Sequence, residues 1–323
     1  MNSAARCFSM IERFPIPCLI GPTAVGKTAV AIVLAQARGW EIISADSRQV
    51  YRYLDIGTAK PIRSELTSVP HHFIDIRNPD EIYSAGEFAR EARASISEIL
   101  ARGRIPMVVG GSGLYIRALT QGFFEPPISN RSLQRELKQR AQQEGGAVLH
   151  AELARLDGES AARLHPNDVH RIVRALEVFY SSGKPLAEFW KKELQSAPFD
   201  FQFVGLSMPR DELYSRIDRR VDIMIESGLV DECRKLLELG YSPELNALQT
   251  VGYKEVFAFL AGKLDEQQMI DEIKKHTRNY AKRQMTWFRK NPNPRWVERR
   301  AKDAVVNIAQ LVSAEFEFLK TSR

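Results

Sequence analysis

The sequence predicts an α/β protein: a P-loop parallel sheet core with helices on both faces and an all-helical insertion domain. Three observations carry this. A glycine-rich stretch at 21–28 stands between a short apolar run and a helix-forming run. Further short apolar runs alternate with helical patterns, as in a sheet whose connections cover both faces. Between 125 and 202 strand-like runs disappear and only charged, helix-spaced sequence remains. A chain of 323 residues, 44% hydrophobic, has enough apolar material for a large domain carrying an insertion.

Taken in order, Ile16 to Ile20 reads as a buried strand, 21–26 as a turn-rich loop and Lys27 to Arg38 as a helix. Trp40 to Ile43 is a second strand, opening into a polar loop at Ser44. A helical pattern from Phe88 to Ala101 precedes a third strand, Ile105 to Val109, which runs into Gly110, Gly111 and Gly113. Glu125, Pro126 and Pro127 break the alternation. Beyond them Val169, Ile172, Val173, Leu176, Phe179 and Tyr180 keep helical spacing until Gly183 and Pro185 stop the helix. Phe201 to Leu206 returns as a strand, and Asp211 to Lys290 is helical up to Asn291–Pro294. The expected organisation is therefore a P-loop catalytic core at 15–124 and 203–290, a helical insertion at 125–202 and a C-terminal tail at 291–323.

Composition excludes several classes. No apolar run approaches the roughly 20 residues of a membrane span, and Cys7, Cys18 and Cys233 form no metal-binding pair. The first fourteen residues are too charged for a secretory signal, so a cytoplasmic protein is expected, acting as a monomer with no protein partner implied. Net charge is +6, but it is uneven: Ile273 to Arg300 holds ten Lys or Arg against one acid. A basic element on a slightly acidic body is the footprint of a polyanion contact.

Gly21, Pro22, Thr23, Ala24, Val25, Gly26, Lys27 and Thr28 fit the phosphate-loop pattern. The glycines turn consecutive N–H groups inward, the following helix adds its positive end, Lys27 adds a cation, and Thr28 can hold Mg²⁺. Such a loop grips a diphosphate, of which ATP and other nucleotides are the commonest owners. Asp46, in the loop after the second strand, faces the same crevice; it can serve as a general base or an outer Mg²⁺ ligand, or simply cap a turn. Ser112 places a hydroxyl in the third loop. Because the strand before it ends in glycine, the acid that closes hydrolytic nucleotide sites is missing. His71 and His72 are adjacent and point to opposite faces, so a metal site there is not expected. On the late helix Lys275, Arg278, Lys282 and Arg289 fall within about 60° of one another, opposite Ile273, Tyr280 and Trp287. That makes a basic face; His170, Arg171 and Arg174 make a second.

In order, GPTAVGKT (21–28), SADSRQVY (44–51), DIGTAKP (55–61), HHFIDI (71–76), GGSGLYIRAL (110–119), HPNDVHRIVRALEV (165–178), QTVGYKE (249–255) and TRNYAKRQMTWFR (277–289) resemble the tRNA dimethylallyltransferase, or tRNA isopentenyltransferase, family of bacterial type. The resemblance implies transfer of a dimethylallyl group from its diphosphate to N6 of the adenine 3′-adjacent to the anticodon. It implies Asp46 as general base, the 21–28 loop with Arg220 as the diphosphate site, and a bridging Mg²⁺. It also implies tRNA contacts from Asp46, Ser47, Arg48 and Gln49, from Ser112, and from His170, Arg171, Ile172, Val173 and Arg174. Further contacts follow from Gln249, Thr250, Val251, Gly252, Tyr253 and Lys254, and from Lys275, Arg278, Lys282, Arg283, Gln284 and Arg289. Three positions depart from the family pattern. Ser112 stands where Thr is usual and His170 where Gln is usual; the contact expected after Leu133 falls on Gln134 or Arg135.

The chemistry is coherent on its own terms. An exocyclic adenine amine is a weak nucleophile, so a carboxylate must accept its proton as the bond forms, while cations stabilise the departing diphosphate. Alternatives are prenyl transfer to free AMP or ADP, a P-loop kinase in which Asp46 activates a hydroxyl, and tRNA binding without catalysis.

Overall fold

The computed structural model describes residues 15–122, 130–190, 197–290 and 294–321. The expected break at Glu125–Pro127, the helix stop at Asn291–Asn293, Cys7 and the first fourteen residues lie outside these. The chain divides into two compact units, Met1–Thr120 with Ala197–Arg323, and Gln121–Ser196.

In the first unit β1 (Ile16–Ile20), β2 (Glu41–Ala45), β3 (His71–His72), β4 (Pro106–Gly110), β5 (Phe201–Ser207) and β6 (Arg295–Glu298) form one sheet in the order β3-β2-β4-β1-β5-β6. All five pairings are parallel. Every residue of β1, β2 and β4 is buried, which is why they read as short, mainly apolar runs and not as alternating ones, although β2 also buries Glu41 and Ser44. Its helices are α1 (Lys27–Arg38), α2 (Arg63–Ser68), α3 (Ala85–Ala101) and α4 (Gly113–Gln121), then α10 (Arg210–Glu226), α11 (Leu229–Glu238), α12 (Tyr253–Leu260), α13 (Glu266–Phe288) and α14 (Val305–Thr321). The second unit holds α5 (Arg131–Glu144), α6 (Gly146–Leu156), α7 (Gly158–Ala162), α8 (Val169–Ser182) and α9 (Leu186–Trp190), and no strand among its described residues. It has its own core of Leu137, Leu149, Leu153, Ile172 and Leu176. Helix α8 stops at Gly183, whose φ of 68° is left-handed, as the sequence predicts.

Some boundaries move for local reasons. Helix α3 starts three residues before Phe88: the Ser84 hydroxyl accepts the Glu87 N–H at 3.0 Å and the Glu87 carboxylate accepts the Ser84 N–H at 2.8 Å, a capping box. Trp40 precedes β2, and its buried ring meets Phe316 edge-on at 6.4 Å.

The larger correction concerns 291–323. The segment expected as a tail supplies β6, which pairs with β5, and α14, which sends Ile308, Ala309, Val312 and Phe316 into the core beneath α1. β6 escapes sequence reading because it is a four-residue edge strand with Val297 as its one buried residue among charges. Among the described residues no helix is long and apolar enough to cross a membrane.

Candidate active site

Three loops leave the carboxyl ends of neighbouring strands β1, β2 and β4, where ligands bind in open parallel sheets. They line a cleft of about 650 Å³ together with α10 and α13. Thr23, Ala24, Gly26, Lys27 and Thr28 reach it from the first loop, Asp46 and Gln49 from the second and Gly110 and Gly111 from the third. Arg216, Arg219 and Arg220 reach it from α10, where spacings of three and four residues put their guanidinia on one helix face.

The first loop is held by its carbonyls. Lys27 Nζ donates to the Gly21 and Pro22 carbonyls at 2.9 and 2.8 Å, Arg216 Nε to Ala24 at 3.1 Å and an Arg299 terminal nitrogen to Val25 at 3.4 Å. Gly26, left-handed at φ 98°, makes the turn into α1. At Gly21 a β-carbon would lie 2.6 Å from the Leu206 carbonyl oxygen, so only glycine fits between loop and β5. Burial pulls the Lys27 ammonium down to a pKa of about 8, Arg220 pushes the same way, and the Asp46 carboxylate opposes both. The Arg220 guanidinium is likewise lowered by burial and sustained by Asp46. A site with buried cations at the start of a helix gains most from an incoming polyanion.

Asp46 caps its own turn, as the turn reading anticipates: one carboxylate oxygen accepts the Arg48 N–H at 2.9 Å and the Gln49 N–H at 3.4 Å. The same geometry fixes the carboxylate toward the cleft. Ser112 closes the gap between the second and third loops, accepting the Ser47 N–H at 3.0 Å. At Gly110 a β-carbon would sit 2.2 Å from the Ala45 carbonyl oxygen. The place where hydrolytic nucleotide sites carry an acid is closed to any side chain.

Several residues that shape the cleft escape sequence reading. Gln284, expected at tRNA, is buried and joins two loops: its oxygen accepts the Thr23 N–H at 2.8 Å and its amide donates to the Gly111 carbonyl at 2.9 Å. Tyr280, on the face of α13 opposite the basic one, lines the cleft, with a hydrogen bond to Ser112 and a phenol raised by burial and by Asp46. Glu232 on α11 accepts the N–H groups of Asp55, Ile56 and Gly57 at 3.1, 2.8 and 3.2 Å and the Tyr253 hydroxyl at 2.5 Å. That carboxylate organises the turn which brings Thr58, Ala59 and Pro61 to the cleft wall. Gln49 Nε2 then holds the Thr58 and Ala59 carbonyls at 3.2 and 3.3 Å.

The basic face of α13 is partly consumed by packing. Arg278 pairs with Asp218 at 2.5 Å and Lys274 with Asp222 at 2.6 Å, both acids on α10. Lys275 pairs with Glu272 along its own helix, and Arg295 and Arg300 pair with Glu315 and Glu212. Arg283 leans over the Tyr280 ring, while Lys282, Arg289 and Lys290 are exposed. Elsewhere Gly252 and Tyr253 are buried, and Arg48 donates to the Asn246 carbonyl at 2.7 Å. Gln249 donates to the Pro243 carbonyl, whereas Lys254 is exposed and Thr250 and Val251 are half-buried.

In the second unit, Ile172 and Val173 belong to the core and not to the surface their motif implied. His170 and Arg171 are exposed, on the opposite side of α8. Glu177, fully buried, receives Gln134 Nε2 at 2.7 Å and Arg174 at 2.6 Å, so both have a structural partner, and Arg135 is exposed. His71 and His72 separate as their alternation requires, one ring on the Val69 carbonyl and the other on Glu41.

Residues 49–291 match the model of the IPP transferase family. A tRNA dimethylallyltransferase of Geobacter sulfurreducens is 48% identical over 291 residues, covering 90% of this chain and 94% of the relative. A full-length tRNA isopentenylpyrophosphate transferase from Bacillus halodurans superimposes with a TM-score of 0.69 at 38% identity, covering 95% of this chain and 98% of that one. A eukaryotic dimethylallyltransferase acting on tRNA gives a TM-score of 0.78 at 30% identity, over 95% of this chain and 80% of that one.

Proposed function

The chain belongs to the IPP transferase family, and from that premise we propose that it is a tRNA dimethylallyltransferase, moving a dimethylallyl group from its diphosphate to N6 of the adenine 3′-adjacent to the anticodon. One observation carries the finer reading: Asp46, Lys27 and Arg220 line a single cleft, so a proton acceptor faces a diphosphate cradle. In the reaction the adenine N6 lone pair attacks the allylic carbon, the carbon–oxygen bond to diphosphate breaks, and the N6 proton passes to the Asp46 carboxylate. Lys27, Arg220 and the inward amides of the 21–28 loop stabilise the leaving diphosphate as its charge grows. The adenine must leave its stack to reach Asp46, which an unpaired anticodon loop makes cheaper. Lys282, Arg289 and the exposed His170 and Arg171 supply phosphate and base contacts to tRNA, and the enzyme works in the cytoplasm as a monomer.

Mg²⁺ suits this donor set. The Thr28 hydroxyl, which lines the cleft beside Lys27, would hold the ion together with the diphosphate. When bound it neutralises charge on the leaving group.

Purified protein incubated with dimethylallyl diphosphate, Mg²⁺ and unmodified tRNA bearing adenine at the last anticodon position and the next one gives N6-dimethylallyladenosine, read by mass spectrometry. Absence of product across several such tRNAs rejects the reading. AMP, ADP and ATP in parallel test the nucleotide acceptor and kinase alternatives, which the naming of the relatives does not favour.

A further inference from the structure

Arg299 lies one residue beyond β6, in the segment that sequence reading takes for a tail, and its backbone N–H continues the sheet edge by donating to the Ser207 carbonyl at 3.0 Å. Its side chain is buried against the outer side of the phosphate loop. A β-carbon at Gly26 would fall 2.4 Å from one of its terminal nitrogens, so the guanidinium lies directly against the turn into α1. That nitrogen holds the Val25 carbonyl at 3.4 Å, the other holds the Asp303 carbonyl at 3.2 Å, and Nε is buried with no hydrogen-bond partner.

No carboxylate forms an ion pair with this guanidinium among the described residues, whereas neighbouring Arg295 pairs with Glu315 and Arg300 with Glu212 and Glu298. A buried, unpaired cation is costly, and an arginine cannot escape by losing its proton. Burial and the nearby Arg216 disfavour its charge, and the Asp303 carboxylate opposes them only in part. What would offset that cost is an anion on the cleft side of the same loop, whose Gly26 lines the cleft.

We propose that Arg299 is a positioning residue for the diphosphate: it holds the 25–26 turn from behind, with the Val25 carbonyl drawn outward, and its unpaired charge stabilises the anion cradled by the loop. This rests on the donor reading above. Diphosphate then relieves a strain that is present in the free protein.

The test uses the full chain and inorganic pyrophosphate as probe, with Arg299→Met, which removes the charge, and Arg299→Lys, which keeps it. Binding is measured by calorimetry and by the ligand-induced rise in melting temperature, and turnover is resolved into KM for each substrate. Arg299→Met is expected to melt near the wild-type temperature without ligand, because an unpaired buried charge has gone. It is expected to bind pyrophosphate about tenfold more weakly and to raise KM for dimethylallyl diphosphate while KM for tRNA holds. Arg299→Lys is expected to recover most of that affinity. Should Arg299→Met fail to fold, Arg299→Gln replaces it as the uncharged member. A folded uncharged variant with wild-type pyrophosphate affinity overturns the proposal alone, as does equal weakening by Lys and by the uncharged residue. Wild-type protein that binds neither pyrophosphate nor dimethylallyl diphosphate overturns the donor reading and this inference with it.

Discussion

The phosphate loop and helix α13 meet at Gln284, yet they relate to their sequences in opposite ways. The loop does what its residues say: glycines permit the turn, and Lys27 lines the cleft. Helix α13 does not. Its cationic surplus suggests one continuous basic surface, but Arg278 and Lys274 are matched to Asp218 and Asp222 of α10. Motif chemistry is local and survives being read in isolation. Charge is a property of pairs, and the partners lie more than fifty residues upstream.

Asp46→Ala is expected to lower turnover by 10²-fold or more, with tRNA affinity altered only modestly. A folded variant keeping more than about a tenth of the wild-type rate removes Asp46 from the role of base.

Next comes Lys27. Burial pulls its ammonium down to a pKa of about 8, and only the charged form attracts diphosphate. Above that pH, kcat/KM for dimethylallyl diphosphate should fall toward tenfold per unit, with the sign set by a depressed lysine: full affinity below, loss above. Replacing Lys27 with Arg should abolish that descending limb, whatever it does to the rate. A limb that persists in Lys27→Arg assigns it to another group.

The smallest effects sharpen the account of α13. Lys282→Ala and Arg289→Ala should each weaken tRNA binding a few-fold and flatten its salt dependence by about one phosphate contact. Arg278→Ala should instead cost about 1 kcal/mol of folding stability, the partly buried Asp218 having lost its partner, with a smaller change in the salt slope. Equal slopes for Arg278→Ala and Lys282→Ala would make the whole face a phosphate track after all.

Those differences also explain how far the sequence could be read. Strands β1, β2, β4 and β5 announce themselves because central parallel strands are rich in apolar residues, and the order of motifs puts three loops at one end of the sheet. Glu232 could not be found this way: it reaches Gly57 from 175 residues away, and nothing near it in the chain hints at three waiting amides. Gln284, Tyr280 and Arg299 are hidden for the same reason. The tRNA residues carry a different error. A motif on a helix such as α8 winds around the axis by about 100° per residue, so Ile172 and Val173 lie inside while His170 and Arg171 lie outside.

The strand order has a consequence for synthesis. β1 pairs with β4 on one side and β5 on the other, and the second unit is encoded between those two strands. A ribosome adding about 5–20 residues per second takes several seconds to pass from Gly110 to Phe201. During that interval the most apolar strand of the nascent sheet keeps one edge bare, able to pair with whatever extended chain it meets. A helical unit with a core of its own can fold during the delay, so the vulnerable species is not a featureless chain but a half-sheet waiting for its fifth strand.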